Sequence, residues 1–177
     1  MSEISKALEE CGALQFGEFT LASGAKSSYY INIKKASTNP RVLYRISLLM
    51  AEKMQMENIR PDKIAGIVLG SIPLAAALSM ATGIPYVMVR KEQKDHGTKE
   101  LIEGDLNPGD RVLVVEDVVT TAGSSVKAIG VLRDNGAVVS ELISVIDREG
   151  GAEENLAAIG VSLMSLAKGS EIVKGKQ

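Results

Sequence analysis

Two adjacent acids, Glu116 and Asp117, follow the apolar run 112–115 and open onto Val118, Val119, Thr120, Thr121, Ala122, Gly123, Ser124 and Ser125. A helical pattern comes next, with Val126, Ile129, Val131 and Leu132 on its apolar positions. The unit reads as buried strand, acidic turn, hydroxyl- and glycine-rich loop, helix. Where such a loop enters a helix, backbone N–H groups converge and the helix dipole adds partial positive charge, which suits a phosphate. The two carboxylates suit ribose hydroxyls, or a Mg²⁺ ion that arrives on the ligand. Together these groups describe a site for a phosphorylated sugar. The same residues also fit a plainer description, strand-end acids and an N-cap with a flexible lead-in. No Gly-Lys-Ser/Thr closes the loop and it has no G-x-G-x-x-G spacing, so it is neither a P-loop nor a dinucleotide fingerprint.

Other stretches carry chemistry of their own. Arg90, Lys91, Lys94 and the single histidine, His96, fall within seven residues at a strand end. Cations on a lid over the crevice would stabilise a leaving diphosphate and exclude water; a solvated charge run has the same composition. The turn 70–73 offers N–H groups for another phosphate, or is an ordinary connection. Tyr29 and Tyr30 stand ready to cover a flat base, or simply to pack. Arg148, at the end of a buried strand, presents a planar fork to a carboxylate or carbonyl, or lies on the surface.

The elements that must position these groups follow from pattern. Helices are expected at 2–11, from 40 to about 56, at 74–81, from 124 to 135 and at 152–159; strands at 16–21, 29–33, 64–69, 85–90, from 111, at 137–146 and at 161–166. The charged stretch 91–104 reads as a long loop, and the tail as a short helix or coil. Alternation of strand and helix from Ile64 onward predicts an α/β fold, a mostly parallel central sheet flanked by helices. The hairpin and first helix, about 1–35, read as a hood on a core at about 40–170, all within one domain spanning 1–177. The chain has 177 residues, 45% of them apolar, with net charge −2, and its pI is near 5.6. These values give no basic field for nucleic acid. One cysteine, Cys11, leaves no internal disulfide, and it reads as a half-buried residue at the end of the first helix. No apolar run reaches membrane-spanning length and the start lacks a secretory pattern, so a cytoplasmic location is expected.

The stretch 114–124 resembles the phosphoribosyl diphosphate (PRPP) signature of the type I phosphoribosyltransferases. Arg90-Lys-Glu-x-Lys-x-His-Gly97 and the pattern Phe-Gly-Glu-Phe-Thr-Leu-x-Ser-Gly-x-Lys-Ser-x-Tyr-Tyr at 16–30 are similar to orotate phosphoribosyltransferases in particular. The resemblance covers nearly the whole chain. It implies transfer of ribose 5-phosphate from PRPP to orotate, giving orotidine 5′-monophosphate in pyrimidine biosynthesis. Another base, or a PRPP-sensing regulator of the same fold, is the alternative. By the resemblance, Glu116 and Asp117 hold the ribose hydroxyls, and Val118, Val119, Thr120, Thr121, Ala122, Gly123 and Ser124 bind the 5′-phosphate. Arg90, Lys91, Lys94 and His96 serve the diphosphate, with Lys94, His96 and Asp117 as catalytic residues. Thr120 and Arg148 contact orotate, and Tyr29, Tyr30 and Ile31 line the base pocket. Mg²⁺ arrives with PRPP near Glu116 and Asp117, without a dedicated protein ligand. A homodimer is implied, with Lys94 and His96 reaching into the neighbouring subunit's site. Many relatives carry Gly where this chain has Ala122, which stiffens the loop, and Lys where it has Ala22; some carry Lys near Ser71. These departures bear on PRPP affinity rather than on the reaction.

Overall fold

Ser2 starts the first element by accepting the Ser5 N–H on its Oγ at 3.3 Å, which caps helix α1 (Glu3–Glu10). The computed structural model describes residues 2–20, 26–90 and 101–174. Cys11 follows α1 as its half-buried C-cap. Strands β1 (Leu14–Thr20) and β2 (Lys26–Ile31) pair antiparallel as a separate hairpin. The strand expected at 29–33 therefore begins earlier and stops at Ile31. Ile33, Ala36 and Ser37 are buried at one-turn spacing, and that apolar face makes helix α2 (Ile33–Ser37) rather than more strand. Asn39 then caps helix α3 (Pro40–Met56), whose Pro40 lies in the first turn, where its missing N–H costs nothing. Val42, Ile46, Met50 and Met54 of α3 recur every fourth residue and are buried.

The core sheet follows: β3 (Lys63–Ile67), α4 (Ile72–Thr82), β4 (Tyr86–Val89), β5 (Ile102–Glu103), β6 (Arg111–Val119), α5 (Gly123–Asp134), β7 (Val138–Asp147), α6 (Ala152–Ala157), β8 (Ser162–Lys168) and α7 (Gly169–Lys174). The strand order is β5-β4-β3-β6-β7-β8. All neighbours are parallel except β5, which pairs antiparallel with β4. From β3 the chain moves outward to β4; from β6 it moves outward the other way, to β7 and β8. Crossovers of one hand then place α4 and α5 on opposite faces. Alternation along β6 serves both: Leu113 and Val115 share a cluster with Ile46 and Leu74, while Val112 and Val114 share one with Ile129 and Leu132. Burial on both faces is why this strand reads as a continuous apolar run.

Two expectations change. The acids do not end the central strand. The β6–β7 ladder continues through Glu116↔Ser144 to Val119↔Asp147, so Glu116 and Asp117 are strand residues. The end of the charged stretch is also not loop, because Ile102 and Glu103 add a short edge strand against Val89 and Met88. Lys91, Lys94 and His96 lie outside the described residues.

Helix α4 sits unusually close to β3. A Cβ added at Gly66 would meet Ala75 Cβ at 2.9 Å and the Ser71 carbonyl at 3.1 Å. Gly66→Ala must push the helix and the turn before it away, at a cost of about 1–3 kcal/mol. Urea denaturation will show a lowered midpoint; an unchanged midpoint would contradict this packing.

Candidate active site

Strand order reverses between β3 and β6. In open α/β sheets the crevice beyond the carboxyl ends of such a strand pair is where ligands bind. Here it is a cavity of about 360 Å³, walled by Leu69 and Gly70 from the turn after β3, by Glu116 and Asp117 from β6, and by Ser124 from the first turn of α5. A larger hollow, about 450 Å³, runs along edge strand β8. Its walls carry the acids Glu57, Asp147, Glu153 and Glu171 against Lys53 and Lys168, so negative side chains outnumber positive ones there.

Adjacent residues of a strand point to opposite faces, and the two acids differ accordingly. Glu116 is 6% exposed. Its Oε2 accepts from the Ser71 hydroxyl at 2.5 Å and its Oε1 from the Ser125 hydroxyl at 3.0 Å. Burial raises the Glu116 carboxyl above its ordinary range; the Ser71 bond pulls it back, the Asp117 charge adds to the rise, and the Ser125 bond opposes it. Glu116 thus joins the turn after β3 to the first turn of α5. Asp117 is half-buried at the mouth. Its Oδ1 accepts the Val118 N–H at 2.7 Å. A Cβ at Gly70 would stand 2.5 Å from Asp117 Oδ2, so glycine lets the turn lie against this carboxylate without displacing it.

The loop after β6 is built for exposed N–H groups. Thr120, Thr121, Gly123 and Ser124 are exposed. Ala122 is buried with φ 58 and ψ 19, and no side chain caps α5. The left-handed conformation costs an L-residue about 1–2 kcal/mol, which gives a physical reason for glycine at this position. Asn155 Nδ2 donates to the Thr121 carbonyl at 2.9 Å, and the Arg148 N–H to the Val119 carbonyl at 2.9 Å. Gly150 packs on Thr120 so closely that a Cβ there would meet Thr120 Cγ2 at 2.6 Å. The turn after β7 therefore holds the loop from behind.

Arg148 is half-buried, and its Nε is buried without a hydrogen-bond partner. Tyr29 stands near it. Burial raises the Tyr29 phenol above its ordinary range, and the Arg148 charge opposes that rise. The phenol oxygen lies 2.6 Å from where a Cβ of Gly169 would be. Tyr30 instead packs on Phe19, with ring centroids 5.6 Å apart. Ile31 is 5% exposed and belongs to the core cluster. Of the three hairpin residues, the structure brings Tyr29 beside Arg148 and directs Tyr30 and Ile31 elsewhere. Arg90 Nη1 donates to Glu103 Oε1 at 2.9 Å, a partner supplied by the short edge strand. Sequence reasoning missed the clamp roles of Ser71 and Ser125, although both lie in turns it had singled out. It also missed Lys34, which lines the crevice from α2.

Residues 32–164 match the family model described as phosphoribosyl transferase domain. The chain is 47% identical to an orotate phosphoribosyltransferase of Methanocaldococcus jannaschii, over 97% of this chain and 96% of that protein. It is 49% identical to that of Methanoculleus marisnigri, over 99% of each. Its fold matches the crystal structure of orotate phosphoribosyltransferase from Aeropyrum pernix with a TM-score of 0.87 at 37% identity, covering 98% of this chain and 97% of that one. A Mycobacterium tuberculosis orotate phosphoribosyltransferase solved with PRPP matches with a TM-score of 0.79 at 31% identity, covering 97% of each.

The clamp makes a prediction that stands apart from any ligand. Ser71→Ala leaves a buried carboxylate one donor short and lowers unfolding free energy by about 1–3 kcal/mol. If Ser71 acts through Glu116, combining it with Glu116→Gln gives a coupling of at least about 0.5 kcal/mol. Denaturation of the wild type, both single variants and the double variant measures it. Additive effects would contradict the clamp.

Proposed function

The chain belongs to the orotate phosphoribosyltransferase family, and we propose that the crevice between β3 and β6 is where it carries out the family's reaction. It transfers the ribose 5-phosphate group of PRPP to orotate, giving orotidine 5′-monophosphate and diphosphate in pyrimidine biosynthesis. The observation that carries the site assignment is the uncapped N-terminus of α5, entered through Ala122 and set beside the Asp117 carboxylate at the switch point. The N–H groups of the loop up to Ser124 take the 5′-phosphate. Asp117, at the mouth, accepts from a ribose hydroxyl. Glu116 lies behind it, with both oxygens already accepting from serines, and shapes the wall.

The C1–O bond to diphosphate loosens before the bond from orotate N1 to C1 is complete, and positive charge gathers on the ribose ring. No protein nucleophile is required. The chain's contribution is positioning in a preorganised polar site. Arg148 donates its Nε–H, which is unpartnered in the free protein, to orotate, with Tyr29 against the base and Thr120 at the loop's start. Arg90 serves the diphosphate on leaving Glu103, and Lys91, Lys94 and His96 close over it. Mg²⁺ fits this donor set as an ion that enters with its phosphates, since magnesium sites commonly use one or two carboxylates plus substrate oxygens. Among the described residues no group of three or more acidic, histidine or cysteine side chains is placed to hold a metal. Asp117 is the carboxylate that would face the ion, whose charge would offset that of the diphosphate.

A second copy of the chain completes the site by supplying Lys94 and His96. Apolar surface supports pairing: Tyr44 on α3 is 62% exposed and Met80 on α4 is 87% exposed, and these two helices pack together. No helix of the described residues is long and apolar enough to cross a membrane, and we place the reaction in the cytoplasm.

Loss of orotate absorbance with PRPP and Mg²⁺ tests the function across a panel of bases. Orotate is expected to be consumed far faster than uracil or any purine. Preference for another base would overturn the orotate assignment, and PRPP binding without turnover of any base would favour a sensor. The shared site has its own test. Lys94→Ala and Asp117→Asn are each expected to lower kcat strongly, and mixing the two inactive proteins restores partial activity through hybrid dimers. No recovery after subunit exchange would contradict a shared site.

A further inference from the structure

We infer that Lys34 is a phosphate-binding residue of the crevice, reaching PRPP from the segment that joins the hairpin to α3. Helix α2 has a fixed orientation, because Ile33, Ala36 and Ser37 are buried beneath it. Lys34 and Lys35 both remain exposed, but they leave the helix on different bearings. Lys35 folds back over the end of α1, its Nζ 2.8 Å from where a Cβ of Gly12 would stand. Lys34 instead lines the crevice with Gly70, Asp117 and Ser124.

Its backbone is pinned there. The Lys34 carbonyl accepts from the Thr38 N–H at 3.0 Å, the Thr38 hydroxyl at 2.9 Å and the Ser37 hydroxyl at 3.2 Å. The side chain thus leaves a fixed backbone at the crevice wall.

Charge favours a cation at this point. Among the described residues, the other charged side chains lining the crevice, Glu116 and Asp117, are acids. A phosphorylated ligand must therefore enter against like charge, and the turn at Leu69–Ser71 brings no basic side chain to offset it. An ammonium on the α2 side of the crevice adds positive charge there, apart from the cations that serve the diphosphate. Lysine does this as a point charge with three donors, which suits phosphate oxygens.

This inference rests on PRPP being the substrate, and the experiment separates the two claims. Steady-state kinetics are measured on the wild type, Lys34→Ala, Lys34→Gln and Lys35→Ala, each checked for a normal thermal melt. Lys34→Ala and Lys34→Gln raise KM for PRPP by about tenfold or more, as loss of a charge-assisted hydrogen bond implies. KM for orotate stays within about twofold, and Lys35→Ala matches the wild type. Inhibition by inorganic diphosphate and by ribose 5-phosphate then identifies the phosphate that Lys34 holds, because the inhibitor that weakens in Lys34→Ala marks the contact. A wild-type enzyme that uses PRPP, together with unchanged KM and unchanged inhibition in both Lys34 variants, overturns the inference. So does an equal rise in Lys35→Ala, which would mean that only general surface charge matters. A wild type that does not turn over PRPP overturns the substrate assignment instead.

Discussion

A carboxylate buried in a protein interior must be met by donors, because the loss of its hydration is not otherwise repaid. Glu116 sits in that position near the carboxyl end of the central strand, 6% exposed. The donors that meet it, Ser71 and Ser125, belong to the turn after β3 and to the first turn of α5. One buried side chain therefore fixes the relative placement of the two segments that wall the crevice. The other approaches depend on that placement. Gly70 can lie against Asp117 only if the turn is held there, and the loop before α5 can present its N–H groups only if the helix begins where Ser125 puts it.

Around this clamp the molecule accepts local costs. Ala122 holds a left-handed backbone without being glycine. Arg148 keeps a buried Nε without a partner. Such features persist where surrounding structure over-determines them, and they gather at sites of function. Here the surroundings are specific: Asn155 holds Thr121, Gly150 packs on Thr120, and the Arg148 N–H holds Val119. An unpartnered donor beside Tyr29 is expensive in the free protein and useful to a ligand that brings an acceptor. Loop and donor together support the proposal that the crevice, rather than the larger hollow along β8, takes the phosphorylated sugar and the flat acidic base.

Much of this was legible in the sequence because it is local. The apolar run 112–115 with Thr, Gly and Ser beyond it announced strand, loop and helix. Pro40 marked the first turn of α3, and strand–helix alternation announced the parallel sheet. What escaped was set by pairing across long separations. Nothing near Glu116 says whether it or Asp117 faces inward; that follows from the register Glu116↔Ser144 and from Ser71, 45 positions away. The hairpin shows the same limit. Tyr29, Tyr30 and Ile31 looked like one surface, but strand alternation sends Tyr30 to the side away from its neighbours. Helix α2 is one turn and a half long and β5 is shorter still, so neither leaves a periodic trace. Nothing in the sequence around Lys34 marks it out; α2 brings it to the wall of the crevice.

The most direct measurement is a crystal structure of the protein with PRPP and Mg²⁺ bound. The 5′-phosphate should sit on the backbone N–H groups of 121–124 and a ribose hydroxyl on Asp117, while Glu116 keeps its bonds to Ser71 and Ser125. A ligand bound along β8, or a Glu116 that leaves both serines to grasp the ribose, would contradict the account.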